Sequence, residues 1–281
     1  MRNELLLLPL ILIIFLSGCT TSTTTTVSSV GLSRTLSSDV TQAKSSMPVT
    51  FILTIKNLAS ENANDISAEL LNLTGWQVEN SLQHIDEIMT GDMYKFSWIA
   101  YASPNPNQTF TPYANVFYRM EGKADLKIRV YENDYLSTLK PEEREKIQGT
   151  SALVSSSLSK STPVAVKISL QQPFILTEYL QNFPFVVQIS NAGLGKVYRD
   201  GAVYPPGDSQ KDYFRFSYTS NSTVTCDFDN GELVSLDSGS KSIACRLRVT
   251  QDEVTNSVDF PVDFIISYMY LDAAAARIKV V

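Results

Sequence analysis

The chain has 281 residues, 43% of them hydrophobic and 19% charged, with a formal net charge of −6. That balance excludes a disordered tail, and the lack of any Lys/Arg block removes the cation cluster that nucleic-acid binding needs. Length leaves room for two ordinary domains, while a single histidine beside 13 Tyr, 13 Phe and frequent Ser and Thr suits β-sandwiches better than acid-base chemistry.

Arg2 precedes an apolar run, Leu5 to Phe15, that ends in Leu16-Ser17-Gly18-Cys19. A basic start, a short apolar core and small residues form a secretory signal over 1–18. Roughly a dozen apolar residues fall short of the ~20 that span hydrocarbon as a helix. Leu-Ser-Gly-Cys resembles a lipobox, at which bacterial and, by resemblance, many archaeal prolipoproteins are cut and lipidated on the cysteine. The resemblance implies lipid on Cys19, the membrane as its partner and a location on the outer face of the cell membrane. An uncleaved anchor with an ordinary Cys19 is the competing reading. Residues 19–29 continue as a Thr/Ser tract with nothing to bury, which reads as a tether and an O-glycosylation substrate.

Three later segments recur. Phe51-x-x-x-Ile55-x-Asn57 returns as Phe185-x-x-x-Ile189-x-Asn191, at an offset of 134. Tyr94-Lys95-Phe96-Ser97-Trp98 returns as Phe214-Arg215-Phe216-Ser217-Tyr218, at an offset of 120. Val116–Val130 returns as Ile266–Val280, at 150, with Tyr118 matching Tyr268 and Ala124 matching Ala274. Recurrence in one order predicts a duplicated domain with unequal loops. Period-two alternation predicts strands, with Tyr94, Phe96 and Trp98 facing inward, as Phe214, Phe216 and Tyr218 do, and Lys95 and Arg215 facing solvent. Trp76 is read as core.

The offsets give the second copy 30 extra residues between the second and third matches, an insertion expected to hold Cys226 and Cys245. With Cys19 lipidated, these two remain as an even pair in an exported chain and predict one disulfide, worth roughly 3 kcal/mol by loop entropy. Two free buried thiols are the alternative; a metal site lacks further ligands. Asp229-Asn230-Gly231 and Asp237-Ser238-Gly239 are turn signals. In a flat three-stranded meander the cysteines would sit roughly 9 to 10 Å apart, beyond the ~7 Å that a disulfide allows. The bridge therefore requires Leu233 to Leu236 to leave the sheet.

Between the copies, Leu139 to Ile147 with Pro141 and a following Gly149 predicts a short solvated helix. The resulting organisation is all-β: signal peptide 1–18, tether 19–29, immunoglobulin-like sandwich 30–134, helical connector 135–150 and sandwich 151–281. The strand ending in Asn57, then Leu73-Thr74-Gly75-Trp76-Gln77-Val78, then Gly91-Asp92 before an aromatic strand, resembles the immunoglobulin-like surface domains of archaea, of the S-layer-associated and CARDB kind. It also resembles the immunoglobulin-like domain appended to some glycosidases. This resemblance implies a noncatalytic cell-surface module without a cofactor, with envelope proteins or glycans as its partners.

Candidate chemistry is sparse. His84 stands near Asp86 with no nucleophile motif, and a loop histidine is the simpler reading. Asp227 to Glu232 fails the calcium-loop spacing because glycine falls at the fifth position. Asn72, Asn107 and Asn221 begin sequons and are candidate glycan acceptors. Tyr198, Tyr204 and Tyr213, near Gly193-Leu194-Gly195 and Pro205-Pro206-Gly207, are the candidate ligand contacts, with rings that merely cover a sandwich edge as the competing account.

Overall fold

The structure, a computed structural model, describes residues 24–26, 30–149, 153–154, 160–171, 173–220 and 223–281. The expected signal peptide, Cys19 and Asn221 lie outside the described residues.

In chain order the first half forms β1 (Thr24–Thr26), β2 (Leu32–Ser38), β3 (Gln42–Ala43), β4 (Pro48–Asn57), β5 (Ala63–Leu71), β6 (Gln77–Val78), β7 (Leu82–Ile88), β8 (Met93–Tyr101), β9 (Gln108–Phe110) and β10 (Tyr113–Glu132). Two helices follow, α1 (Asn133–Thr138) and α2 (Pro141–Gly149), the second opening on proline with Glu142 and Glu143 in its first turn. The second half forms β11 (Leu153–Val154), β12 (Val164–Gln171), β13 (Phe174–Leu176), β14 (Leu180–Asn191), β15 (Lys196–Arg199), β16 (Tyr213–Ser220), β17 (Thr223–Cys226), β18 (Glu232–Ser235), β19 (Ser240–Thr250), β20 (Ser257–Ala275) and β21 (Ile278–Val280).

The fold is an all-β assembly of sandwiches. One five-stranded sheet has the order β1-β2-β4-β8-β6 and another has β11-β12-β14-β19-β17. Both pack on an eight-stranded sheet whose path runs β18-β16-β20-β10-β5-β7. The boundary between halves divides the chain but not this sheet, because β10 and β20 pair antiparallel from Tyr113↔Ala275 to Tyr131↔Ser257. Alternation explains how two very long strands are tolerated. Ala114, Val116, Tyr118, Met120, Ala124, Leu126, Ile128 and Val130 are buried, while Arg119, Glu121, Lys123 and Arg129 point to the other face.

The ends of the long strands cross over. The last residues of β10 pair in parallel with β13 of the second half, through Val130↔Phe174. Reciprocally, β21 pairs with β3 and β9 of the first half, through Val280↔Ala43 and Lys279↔Thr109. Each half thus completes an edge of the other, and an approximate twofold axis passes near the Arg119↔Met269 pair.

Two of the three sequence matches follow this axis. Asn57 ends β4 opposite Leu32, and Asn191 ends β14 opposite Val164. Each side-chain carbonyl accepts from the N–H two residues on, Ala59 or Gly193. Tyr118 and Tyr268 are both buried under the seam, Tyr118 beside Gly31 and Tyr268 beside the following position of the other half, Val164.

The aromatic match is corrected. β8 pairs with β4 in a five-stranded sheet, whereas β16 pairs with β20 and β18 in the central one. The counterpart of β8 is β19: Phe51 faces Trp98, and its equivalent Phe185 faces Cys245. The cysteines therefore belong to strands of the common framework, not to an insertion. Phe96, Trp98, Phe214 and Phe216 are buried as expected, but Tyr94 is exposed at the strand's end and Tyr218 is only half-buried.

Cys226 and Cys245 form a disulfide between the directly paired β17 and β19. The required departure occurs, since β18, with Leu233, joins β16 across the sandwich. Asp229-Asn230-Gly231 consequently turns the chain from one sheet to the other, with Gly231 at φ 86 and the Asn230 side chain accepting from Tyr218 N–H. Thr24–Thr26, expected within the tether, instead forms an edge strand against Arg34–Leu36.

Candidate functional site

The outer face of the central sheet, opposite the two smaller sheets, carries a cleft of about 530 Å³ at the pseudo-twofold axis. Its floor comes from both halves, with Ser67 and His84 on β5 and β7, Phe117 and Arg119 on β10, Met269 on β20 and Arg215 on β16. Its wall is the connection after β15, Asp200 to Tyr204. The first half has no equivalent, because β4 and β5 are joined by residues 58–62 alone.

Sheet geometry places these groups. Ser67 is opposite both Phe117 and His84, and Arg119 is opposite Met269. A bulge in the β5/β10 pairing, between Phe117 and Arg119, puts Asp65 in the left-handed region at φ 51 and at the cleft edge. β15 pairs with β20 from Leu271 to Tyr268, so the chain after Arg199 is led back over the sheet.

Asp200 is the electrostatic centre. It accepts from Arg119 Nε at 2.8 Å and faces Arg215 Nε at 3.4 Å. Arg215, expected in solvent, also donates to Gly231 O at 2.8 Å. Burial works against the Arg119 charge, but the hydrogen bond and attraction of Asp200, together with Glu121, hold its pKa above the ordinary value. Two guanidinium groups thus converge on one carboxylate, and Arg119 Nη2 also donates to Glu121 Oε1 at 3.3 Å; guanidinium groups at a cleft are the side chains best suited to planar anionic or carbonyl groups. Leu82 and Val203, 48% and 77% exposed, give the rim an apolar lip.

The expected tyrosines do not converge. Tyr198 is buried with its ring 5.8 Å from Phe117, and burial, then Asp208 and Asp212, raises its phenol pKa. Tyr213 is exposed at the start of β16, outside the cleft. Tyr204 alone lines it, and its hydroxyl donates to Glu69 Oε2 at 2.6 Å while accepting from Asn115. Burial and the Glu69 hydrogen bond push that phenol up to about 12, so it is neutral at physiological pH. Arg119, Asp200 and Ser67 had no motif in the sequence; only the shifted register and the folded-back loop assemble them.

Ser67 Oγ lies 3.3 Å from His84 Nδ1, and His84 Nε2 lies 3.6 Å from Asp86. This order imitates a Ser-His-Asp relay without its preorganisation. Such a relay buries the carboxylate to fix the imidazole, whereas Asp86 is fully exposed. Ser67 and His84 are a cross-strand pair whose contact follows from register. Among the described residues no group of three or more His, Cys, Asp or Glu is arranged to hold a metal. Asn72 and Asn107 are exposed in the left-handed region, at φ 62 and 61, and Asn72 donates to Thr111 O at 2.7 Å.

No family model matches the chain. No curated protein matches it in sequence. Among solved structures, the secreted serine protease VesC from Vibrio cholerae aligns at 11% identity and a TM-score of 0.23, covering 85% of this chain and 51% of that one. The collagen adhesin CNA from S. aureus aligns at 8% identity and a TM-score of 0.14, covering 89% and 87%. This chain thus spans about half the length of the VesC chain. At such TM-scores neither likeness bears on fold or function.

Proposed function

We propose that the protein is a noncatalytic, lipid-anchored structural or adhesive module on the outer face of a cell envelope, of the archaeal immunoglobulin-like kind that its sequence resembles. The observation that carries this reading is the Cys226–Cys245 disulfide, since such bonds persist in oxidising, extracytoplasmic compartments. The leader and Leu16-Ser17-Gly18-Cys19 agree with it. Intact-mass analysis of protein extracted from membranes tests the anchor. The expected chain begins at a lipid-modified Cys19; retention of Met1 would contradict it. Mass heterogeneity at Asn72, Asn107 or Asn221 would report glycan. Hydrolase activity abolished by His84→Ala would overturn the noncatalytic reading.

The cleft favours a second role, capture of an extracellular glycan or peptide. The Asp200–Tyr204 wall is the part of the second half with no counterpart in the first, and it presents Arg215, Arg119 and the apolar Val203 together. Capture from intact cells by crosslinking should fall with Val203→Glu, an exposed substitution that leaves the core untouched. Undiminished capture by that variant would sink this role.

A further inference from the structure

We propose that the ligand of the cleft is a peptide, and that it adds to the edge of β7 as an extended strand carrying a lysine or arginine. This rests on the reading that the cleft is a capture site, and adds the class of its ligand. β7 is the last strand on the path of the eight-stranded sheet, with β5 on one side and no strand on the other among the described residues. Leu70 N–H donates to Ser81 O at 3.0 Å. In the same register Ala68↔Gln83 and Ile66↔Ile85 are the hydrogen-bonded pairs, while Glu69↔Leu82 and Ser67↔His84 are the pairs between them. The 3.3 Å contact of Ser67 Oγ with His84 Nδ1 agrees, since side chains approach more closely in such pairs. The N–H and C=O groups of Leu82 and His84 therefore point away from β5, and none of the described residues hydrogen-bonds to them.

Free edges are commonly blunted by lysine, by proline or by shortness. The open part of β8 carries Lys95, beyond the pairs Gln77↔Tyr101 and Val78↔Ala100 that cover its end. β18, at the far edge of the same sheet, has four residues. β7 runs for seven residues, from Leu82 to Ile88, without a lysine or a proline. Its backbone donors and acceptors are thus left open to another strand.

Neighbouring side chains select the strand that fits. On an added antiparallel strand, the residues opposite Leu82, His84 and Asp86 share the outer face with them. Leu82 and His84 line the cleft, so those alternate side chains stand at its margin, and the edge is continuous with the site. The fully exposed Asp86 faces His84 Nε2 at 3.6 Å, and Asp65 is exposed at the cleft edge. Neither carboxylate pairs with a lysine or arginine among the described residues. A basic side chain beside Asp86 and an aliphatic one beside the exposed Leu82 complement this surface. Amides repeating every second residue along such an edge are what a peptide backbone supplies and a sugar ring does not.

The test titrates the full chain into a fluorescein-labelled peptide, Thr-Lys-Thr-Val-Thr-Leu-Thr, and reads anisotropy; saturable binding is expected. N-methylation of the valine, whose N–H would meet the His84 carbonyl, should weaken binding about tenfold. N-methylation of the next threonine, whose N–H faces away, should change it by less than about twofold. Glutamate in place of the lysine should weaken it about threefold, a difference that high salt erases. His84→Pro removes an N–H that β5 does not use, so the variant should keep its circular dichroism spectrum and bind about tenfold more weakly; the N-methyl comparison needs no variant. Absence of saturable binding, or equal effects of the two N-methylations, would overturn the proposal. A dimer of the chain dispersed by His84→Pro would also overturn it, by placing a second copy on the edge. Capture from intact cells separates the failures. Capture lowered by Val203→Glu but not by His84→Pro keeps the cleft with another ligand, such as a glycan, and removes the edge; capture lowered by neither removes both.

Discussion

The two halves meet at their seam with different chemistry on either side of the axis. On one side Arg34 of β2 reaches Asp272 of β20 at 2.6 Å, with side chains only 1% and 9% exposed. Arg34 also donates to Leu32 O and Ala273 O. On the other side the corresponding positions are Val166, opposite Ile189 as Arg34 is opposite Ile55, and Gly122. A Cβ on Gly122 would come within 2.8 Å of the Ile266 side chain and 3.1 Å of Val164 O. One side joins the halves by a buried ion pair and the other by close approach of backbone. Burial raises the Asp272 carboxyl above its ordinary value even against the attraction of Arg34, so the desolvation cost exceeds what the partner returns. The charge pair therefore acts more as a lock on register than as a source of stability. The cores differ in the same manner, with Trp98 filling in one half the place that the Cys226–Cys245 bridge occupies in the other.

The largest expected effect comes from the tyrosines buried at the seam, the matched Tyr118 and Tyr268 together with Tyr270. Burial raises the phenols of Tyr118, Tyr268 and Tyr270, the last to about 12. Their pKa values lie above the unfolded value of about 10, so their contribution is complete below pH ~10 and is lost as pH rises through the folded values. Circular dichroism in an alkaline titration should show both halves unfolding together as pH passes about 12. A native spectrum persisting well beyond that pH would contradict the shared burial.

Next is the ion pair. Arg34→Ala leaves a buried carboxylate and should cost about 3–5 kcal/mol in urea denaturation. Arg34→Val combined with Asp272→Gly, which copies the opposite side of the axis, should recover much of that loss. If the double variant were no better than the single, the two sides would not be alternatives. Replacing Cys226 and Cys245 together by alanine opens a loop of sequence separation 19 and should cost roughly 3 kcal/mol. Equal midpoints with and without the bridge would contradict its part in the core. The smallest contrast lies between the matched tyrosines. The Tyr268 hydroxyl accepts from Val164 N–H at 3.2 Å, whereas the buried Tyr118 hydroxyl has no hydrogen-bond partner among the described residues. Tyr268→Phe should therefore cost about 1–3 kcal/mol and Tyr118→Phe close to none; equal losses would deny the asymmetry.

The sequence made the duplication visible where residues have duties that depend on place. Asn57 and Asn191 each tie a turn to their own strand, and Tyr118 and Tyr268 each sit under the seam. Their matches hold. Tyr94–Trp98 and Phe214–Tyr218 matched for a weaker reason: alternating rings suit any strand with one buried face, so the pattern marks burial without marking which strand carries it. The false match created the supposed insertion. Cysteine spacing did carry geometry, because a bridge between the two ends of a meander forced the middle strand elsewhere, and β18 is found across the sandwich. The cleft was illegible for a different reason. Tyr198 lies against Phe117 and Arg119 against Asp200 only because a loop folds over a sheet built from both halves, and contacts between residues about 80 apart leave no local periodicity. The shared sheet itself was hidden likewise, since nothing in the alternation of β10 or β20 names its neighbour.

That shared, interlocked sheet is the central claim, and equilibrium unfolding in urea tests it directly. Both tryptophans, Trp76 and Trp98, belong to the first half, so their fluorescence follows that half, while far-UV circular dichroism follows both. With β10 and β20 paired along nearly their full length and their ends exchanged, the two signals should trace one transition with the same midpoint. Two separated midpoints, with tryptophan emission changing while about half of the β signal persists, would show that the halves fold independently and would contradict the account.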